Sequence, residues 1–178
     1  MNIALFGFMG VGKSLVGRIV AERLGMSFFD IDEEIVKRSG RPIPQIFSEN
    51  GEAAFRELER NVTKDVSKRD DQVIACGGGT VLYEENLGNL RKNSLMILLT
   101  ADPATIMSRV EANAGSRPLL DTHEMLERIN ILLSKRQESY MRAADLIIDT
   151  IKRSPDAIAE EIIHLWRNGR EDNESYHQ

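Results

Sequence analysis

The chain has 178 residues, is 42% hydrophobic and 29% charged, and carries a formal net charge of −5, with a pI near 5.3. That length and composition fit one globular domain, and the acidic balance leaves no domain-wide basic surface for a nucleic-acid backbone. The single cysteine, Cys76, excludes an internal disulfide and reads as a small buried residue rather than a nucleophile.

In chain order, short apolar runs alternate with longer amphipathic segments. "NIALFGF" (2–8) predicts a buried strand. "SLVGRIVAERLG" (14–25) predicts a helix with Leu15, Val16, Ile19, Val20 and Leu24 on one face, ended by Gly25. "SFFDID" (27–32) predicts a second strand, followed by a helix from about Glu33 to Gly40. A charged helical stretch runs from about Ile43 to Lys68, with a break expected near Gly51. "QVIAC" (72–76), "LMILLT" (95–100) and "LIIDT" (146–150) supply three further strands. Asp102-Pro103 and Ser154-Pro155 are helix starts, the second opening a helix expected to end about Asn168. Five apolar strands separated by helices point to a parallel sheet covered on both faces, with ligands at the carboxyl ends of the strands.

Residues 111–125 lack periodicity and carry Gly115, Arg117 and Pro118, which fits a mobile lid better than a disordered loop. The expected organisation is one domain over 1–168, with a substrate-binding helical region at about 33–68 and a polar, frayed tail over 169–178. The first residues lack the basic region and apolar stretch of a secretion signal, and no window approaches the ~20 apolar residues of a membrane span. A soluble, cytoplasmic monomer with no nucleic-acid or membrane partner is expected.

Gly7-x-x-x-x-Gly12-Lys13-Ser14 fits the phosphate-binding loop pattern, set between a predicted strand and a predicted helix. Its glycines let backbone N–H groups curl around phosphate oxygens; Lys13 can reach the β and γ phosphates, and the Ser14 hydroxyl can ligate Mg²⁺. A plain glycine turn is the competing explanation. No N-K-x-D or T-K-x-D element is present to read guanine, since "TKDV" (63–66) puts Asp65 one place too early.

Four further groups carry chemistry. Asp30 and Asp32 stand two apart at the end of the second predicted strand, which places both carboxylates on one face, one to orient Mg²⁺ and one to accept a hydrogen bond from an attacking hydroxyl. A turn or helix cap is the alternative. In "IFSENGEAAFRELE" (46–59), Phe47 and Phe55 can wall a ring while Arg56, held by Glu59, clamps a carboxylate; equally, Phe55 can be core and Arg56–Glu59 a surface pair. Gly77, Gly78 and Gly79 follow a strand, which implies a close backbone approach to a ligand unless they form an ordinary loop. Arg117 and Arg136 add cations of the kind phosphoryl transfer needs, although a lone helix arginine such as Arg136 is usually solvated.

Taken together, "GFMGVGKS", "DID", "FRELE", "GGGT", "RPLL" and "KRQESY" resemble the shikimate kinase family in order and spacing over about residues 1–165. The resemblance implies a three-layer α/β/α sandwich with a central five-stranded parallel sheet, of the P-loop, nucleoside-monophosphate-kinase-like type. It also implies transfer of the ATP γ-phosphate to the 3-hydroxyl of shikimate, a step toward chorismate and the aromatic amino acids. On that resemblance ATP is bound by Gly10, Val11, Gly12, Lys13, Ser14 and Leu15, with Arg109 and Pro155 flanking the adenine and Arg117 closing over the transferred phosphate. Mg²⁺ lies near Ser14 and Asp30. Asp32, Phe47, Phe55, Arg56, Glu59, Gly77, Gly78, Gly79 and Arg136 bind shikimate, and Lys13, Asp32 and Arg117 are catalytic.

The chain departs from the family at Leu15, where threonine is often found, and at Pro44, which could bend the approach to Phe47. Two other functions remain in play: a kinase of another small hydroxylated acid such as gluconate, and a nucleotide-binding protein without turnover.

Overall fold

The structure is a computed structural model that describes residues 1–114 and 122–175. Five strands, β1 (Asn2–Phe6), β2 (Ser27–Asp30), β3 (Gln72–Ala75), β4 (Ser94–Thr100) and β5 (Leu146–Asp149), form one sheet in the order β2-β3-β1-β4-β5. Every neighbouring pair is parallel. Every residue of β1 is buried, as expected of a central strand covered on both faces, whereas the edge strands β2 and β5 are only partly covered. The seven helices are α1 (Lys13–Leu24), α2 (Ile31–Ser39), α3 (Ile43–Val66), α4 (Glu84–Arg91), α5 (Pro103–Ala114), α6 (Thr122–Ala143) and α7 (Pro155–Ser175), with a 3₁₀ turn at Thr80–Leu82. Helix α1 packs against α7 and over β2 and β3, while α4 and α6 pack against β4. This is the α/β architecture expected from the alternating pattern.

The strand order sets the position of the site. From β1 the chain leaves toward β2; from β3 it crosses β1 to reach β4. The loops after β1 and β3 therefore depart in opposite directions and open a crevice at their carboxyl ends. Leu5 and Asp30 are both in register with Ala75, so the ends of β1, β2 and β3 lie at one level.

Several boundaries differ from the sequence reading. Helix α2 begins at Ile31, so Asp30 ends a strand while Asp32 lies in the first turn of a helix; the strand alternation invoked to pair them does not apply. Leu15 is 56% exposed and does not join the buried face of α1, which consists of Val16, Gly17, Val20 and Ala21. Residues 111–114 and 122–125, at the margins of the expected lid, are helical, and Arg117 lies outside the described residues. Helix α7 continues to Ser175 instead of ending at Asn168, because neither Gly169 nor the polar residues around it forbid helix once a long apolar face has nucleated it.

One expectation holds closely, and the bend expected at Pro44 does not occur. Gly51 adopts φ 79°, ψ 175° inside α3, a conformation open to glycine that divides the helix as anticipated. Pro44 falls in the first turn of α3, where a missing N–H costs nothing, so it does not disturb the approach to Phe47.

Candidate active site

The loop from Gly7 to Gly12 joins β1 to α1 and needs glycine at its turning points. Gly7 has φ 135°, and a Cβ there would lie 2.3 Å from the Leu99 carbonyl oxygen, so no other residue fits. Gly12, at φ 99°, is the residue before α1, which leaves the N–H groups of the first helical turn pointing into the loop. Lys13 curls back and donates from Nζ to the carbonyls of Gly7 (3.0 Å) and Phe8 (2.9 Å). Burial pulls the Lys13 pKa below its ordinary value, against the attraction of Asp32 and Asp30 nearby.

Beside the loop lies a cavity of about 550 Å³. Its walls include Gly10, Val11, Gly12, Lys13, Ser14 and Leu15 on one side, and Arg109 of α5 with Pro155 of α7 on the other. The residues expected to take a nucleotide are thus brought together from three distant segments. Arg109 is anchored by Thr150, donating from Nη1 to its hydroxyl (2.9 Å) and from Nη2 to its carbonyl (2.7 Å). Sequence reasoning missed Arg153 as a wall of this cavity; its signal was the position two residues before Pro155 in a loop that follows a strand.

Asp30 performs one of the tasks considered for it, the helix cap, and also pairs with Ser14. Its Oδ1 accepts from the N–H groups of Asp32 (3.0 Å) and Glu33 (3.3 Å), capping α2, while Oδ2 accepts from the Ser14 hydroxyl at 2.5 Å. A hydroxyl and a carboxylate side by side at the mouth of a phosphate loop are hard oxygen donors that suit Mg²⁺, which keeps several waters and takes few protein ligands. No cluster of three or more His, Cys, Asp or Glu able to hold a metal occurs among the described residues.

Asp32, half-buried on the other side of Asp30, has its pKa raised to about 6 by burial first and then by the neighbouring charges of Asp30 and Glu59; Lys13 and Arg56 pull it back. Asp32 abuts the triple glycine closely, for a Cβ on Gly77 would stand 2.8 Å from its Oδ1. That segment follows β3 directly, and its start is tied to the phosphate-loop strand by the Cys76 N–H donating to the Leu5 carbonyl at 2.9 Å. Cys76 is buried, as expected, and burial pushes its thiol well above the ordinary range, so it is not poised as a nucleophile.

Beyond the kink in α3, Phe55 is core while Arg56 and Glu59 point into the crevice side of the helix. Glu59 is 1% exposed, which removes the surface-pair explanation; its Oε2 accepts from Arg56 Nη1 at 2.9 Å and its Oε1 from the Thr80 hydroxyl at 2.8 Å. The Arg56 guanidinium lies 5.0 Å from the Phe55 ring centroid and 4.9 Å from that of Tyr83, a contact that spacing alone did not reveal. Phe47 and Phe55 pack with centroids 4.7 Å apart, and Phe47 remains 37% exposed, able to meet a ligand. From α6, Arg136 donates to the Gly78 carbonyl at 3.2 Å, so it is not a solvated helix arginine. A Cβ on Gly79 would approach the Arg56 guanidinium to 3.0 Å, which shows how tightly the glycines run between the two arginines.

A phosphate loop after the central strand, a nucleotide-sized cavity and a second crevice lined by carboxylates and arginines define a phosphate-loop kinase of the nucleoside-monophosphate-kinase-like class. Residues 9–167 match the family model for shikimate kinase. The chain is 44% identical over 162 residues to the shikimate kinase of Thermodesulfovibrio yellowstonii, covering 91% of this chain and 92% of that one. It is similar in structure to the shikimate kinase from Acinetobacter baumannii in complex with shikimate, with a TM-score of 0.86, 33% identity, and coverage of 94% and 93%. The shikimate kinase from Aquifex aeolicus matches with a TM-score of 0.82 at 35% identity, covering 96% and 98%. The chain belongs to the shikimate kinase family. Among the described residues no helix is long and apolar enough to cross a membrane.

Proposed function

We propose that this protein transfers the γ-phosphoryl group of ATP to the 3-hydroxyl of shikimate, giving shikimate 3-phosphate and ADP. The observation that carries the reading is the placement of Asp32 between the phosphate loop and a crevice bounded by Arg56, Gly77–Gly79 and Arg136. A hydroxylated ring acid needs that arrangement: cations for its carboxylate at one end, and a carboxylate for its reacting hydroxyl at the other.

ATP occupies the cavity beside the loop, its phosphates against Gly10–Ser14 and its adenine between Arg109 and Pro155. Ser14 and Asp30 would hold Mg²⁺, which would supply positive charge against the phosphates. Shikimate lies with its carboxylate on Arg56 and Arg136 and its ring against Phe47 and Phe55, while Glu59 keeps Arg56 in place. Asp32 orients the 3-hydroxyl and accepts its proton. The hydroxyl oxygen bonds to the γ-phosphorus, the bond from that phosphorus to the β–γ bridging oxygen breaks, and its electron pair stays on ADP. Lys13 holds the negative charge on the transferred group, so catalysis comes from positioning and electrostatics.

The test is ADP release from Mg-ATP on adding shikimate, gluconate or a nucleoside monophosphate in separate reactions. Turnover at about 1–1000 s⁻¹ with shikimate alone is expected. A response to gluconate with silence toward shikimate overturns the reading.

A further inference from the structure

Tyr140 closes the motif that contributes Arg136, yet the reaction described above gives it no task. It is 4% exposed, on the inner face of α6, one turn after Arg136. Its ring meets Phe6 of β1 edge-on with centroids 6.1 Å apart, and its hydroxyl donates to the Gly78 carbonyl, the same oxygen that accepts from Arg136. Burial keeps this phenol protonated and able to donate, since it raises the pKa above the ordinary tyrosine value.

The consequence follows from peptide planarity. In a trans peptide the C=O of one residue and the N–H of the next point in opposite directions, so a donor that holds the Gly78 carbonyl toward α6 turns the Gly79 N–H away from it. Glycines have no side chain to fix such a plane, and three in succession leave it free to flip. Arg136 alone is a poor clamp for this purpose, because its donors are wanted by the substrate carboxylate. The phenol, which also neighbours Arg136, is carried by a ring packed against the central strand.

We infer that Tyr140 is a positioning residue: its hydroxyl pins the Gly78–Gly79 peptide so that the Gly79 N–H faces the acceptor crevice, where it serves as a preset donor to shikimate. This rests on the shikimate reading of the crevice.

The experiment uses the full chain with Tyr140→Phe, which keeps the ring and its packing on Phe6. Loss of the hydroxyl is expected to raise KM for shikimate about three- to tenfold while KM for ATP and Tm stay close to wild type. Restoring a hydroxyl of the same reach with 3-fluorotyrosine at position 140 is expected to bring KM back. Unchanged KM for shikimate, or an equal rise in both KM values together with a fall in Tm, overturns the inference. A second measurement is independent of substrate: the backbone ¹⁵N order parameter of Gly79 in the ligand-free protein is expected to fall in Tyr140→Phe, because the unpinned peptide plane moves more. Equal order parameters in both proteins overturn the pinning even if shikimate proves not to be the acceptor.

Discussion

The guanidinium of Arg56 reaches Oε2 of Glu59 across 2.9 Å, and that carboxylate has the buried Thr80 hydroxyl as its other partner. Arg56 is thereby held in one orientation before any ligand arrives, with Nε and Nη2 donating to Glu52 Oε1 at 3.3 and 3.2 Å and Nη1 lying beside Gly79. Arg56→Ala is expected to raise KM for shikimate roughly thirtyfold or more while changing KM for ATP little, because it removes half of a carboxylate clamp and leaves Glu59 without its charge partner. Arg56→Lys keeps the charge but loses the fork, so an intermediate KM is expected. Steady-state kinetics with each substrate varied in turn checks both; equal losses for the two substrates would make Arg56 a purely structural residue.

Asp32 links activity and stability with opposite signs. Its carboxyl titrates at about 6 in the folded protein against 3.8 ordinarily, so kcat/KM for shikimate is expected to fall as pH drops below about 6. The folded state binds more protons than the unfolded state between those values, so the group's contribution to stability is lost as pH rises through that window. Asp32→Asn is therefore expected to stabilise the fold at pH 8 by on the order of 3 kcal/mol, read as a higher Tm, with little effect at pH 4 and a large loss of kcat. Thermal melts of both proteins at the two pH values read this directly, and a variant less stable than wild type at pH 8 would contradict it.

Substitutions at Asp30 distinguish its helix cap from the metal role proposed for it. Asparagine caps a helix about as well as aspartate, so Asp30→Asn is expected to leave Tm nearly unchanged while raising the Mg²⁺ concentration needed for half-maximal rate. Asp30→Ala is expected to show the same Mg²⁺ effect plus a loss of about 1 kcal/mol of stability. A Mg²⁺ titration of the rate, set beside melting curves, distinguishes the two tasks.

The glycines divide by what a methyl group would strike. At Gly79 a Cβ would meet the tip of Arg56, at 3.0 Å from Nη1, and a flexible side chain can yield. Gly79→Ala is therefore expected to keep its fold and raise KM for shikimate. At Gly7 the Cβ would meet backbone, 2.3 Å from the Leu99 oxygen, at φ 135°. Gly7→Ala is expected to express poorly or to melt well below wild type. Circular dichroism melts and kinetics on the two variants should give these opposite patterns.

Much of the fold and site was legible because its signals are local. The apolar runs, the glycine-punctuated loop before Lys13 and the break at Gly51 each follow from the conformational preferences of a few adjacent residues. The catalytic candidates could be named from residue type and spacing, and Asp32, Arg56, Glu59 and Gly77–Gly79 do converge. Partnerships between distant residues were not legible. Asp30 and Asp32 neighbour each other across a strand end and a helix start, and Asp30 accepts a hydrogen bond from Ser14 of helix α1.

What the sequence by itself determined was the alternation of strands and helices and the chemistry available at each loop, since both depend on contacts within a few residues. Only the tertiary structure decided that β1 lies between β3 and β4, that Thr80 holds Glu59 and Tyr83 stacks on Arg56, that Arg109 leans on Thr150, and that Tyr140 reaches Gly78. Those contacts join segments with no common local signal, and they form because the strands pair in one parallel order that buries both faces of the sheet.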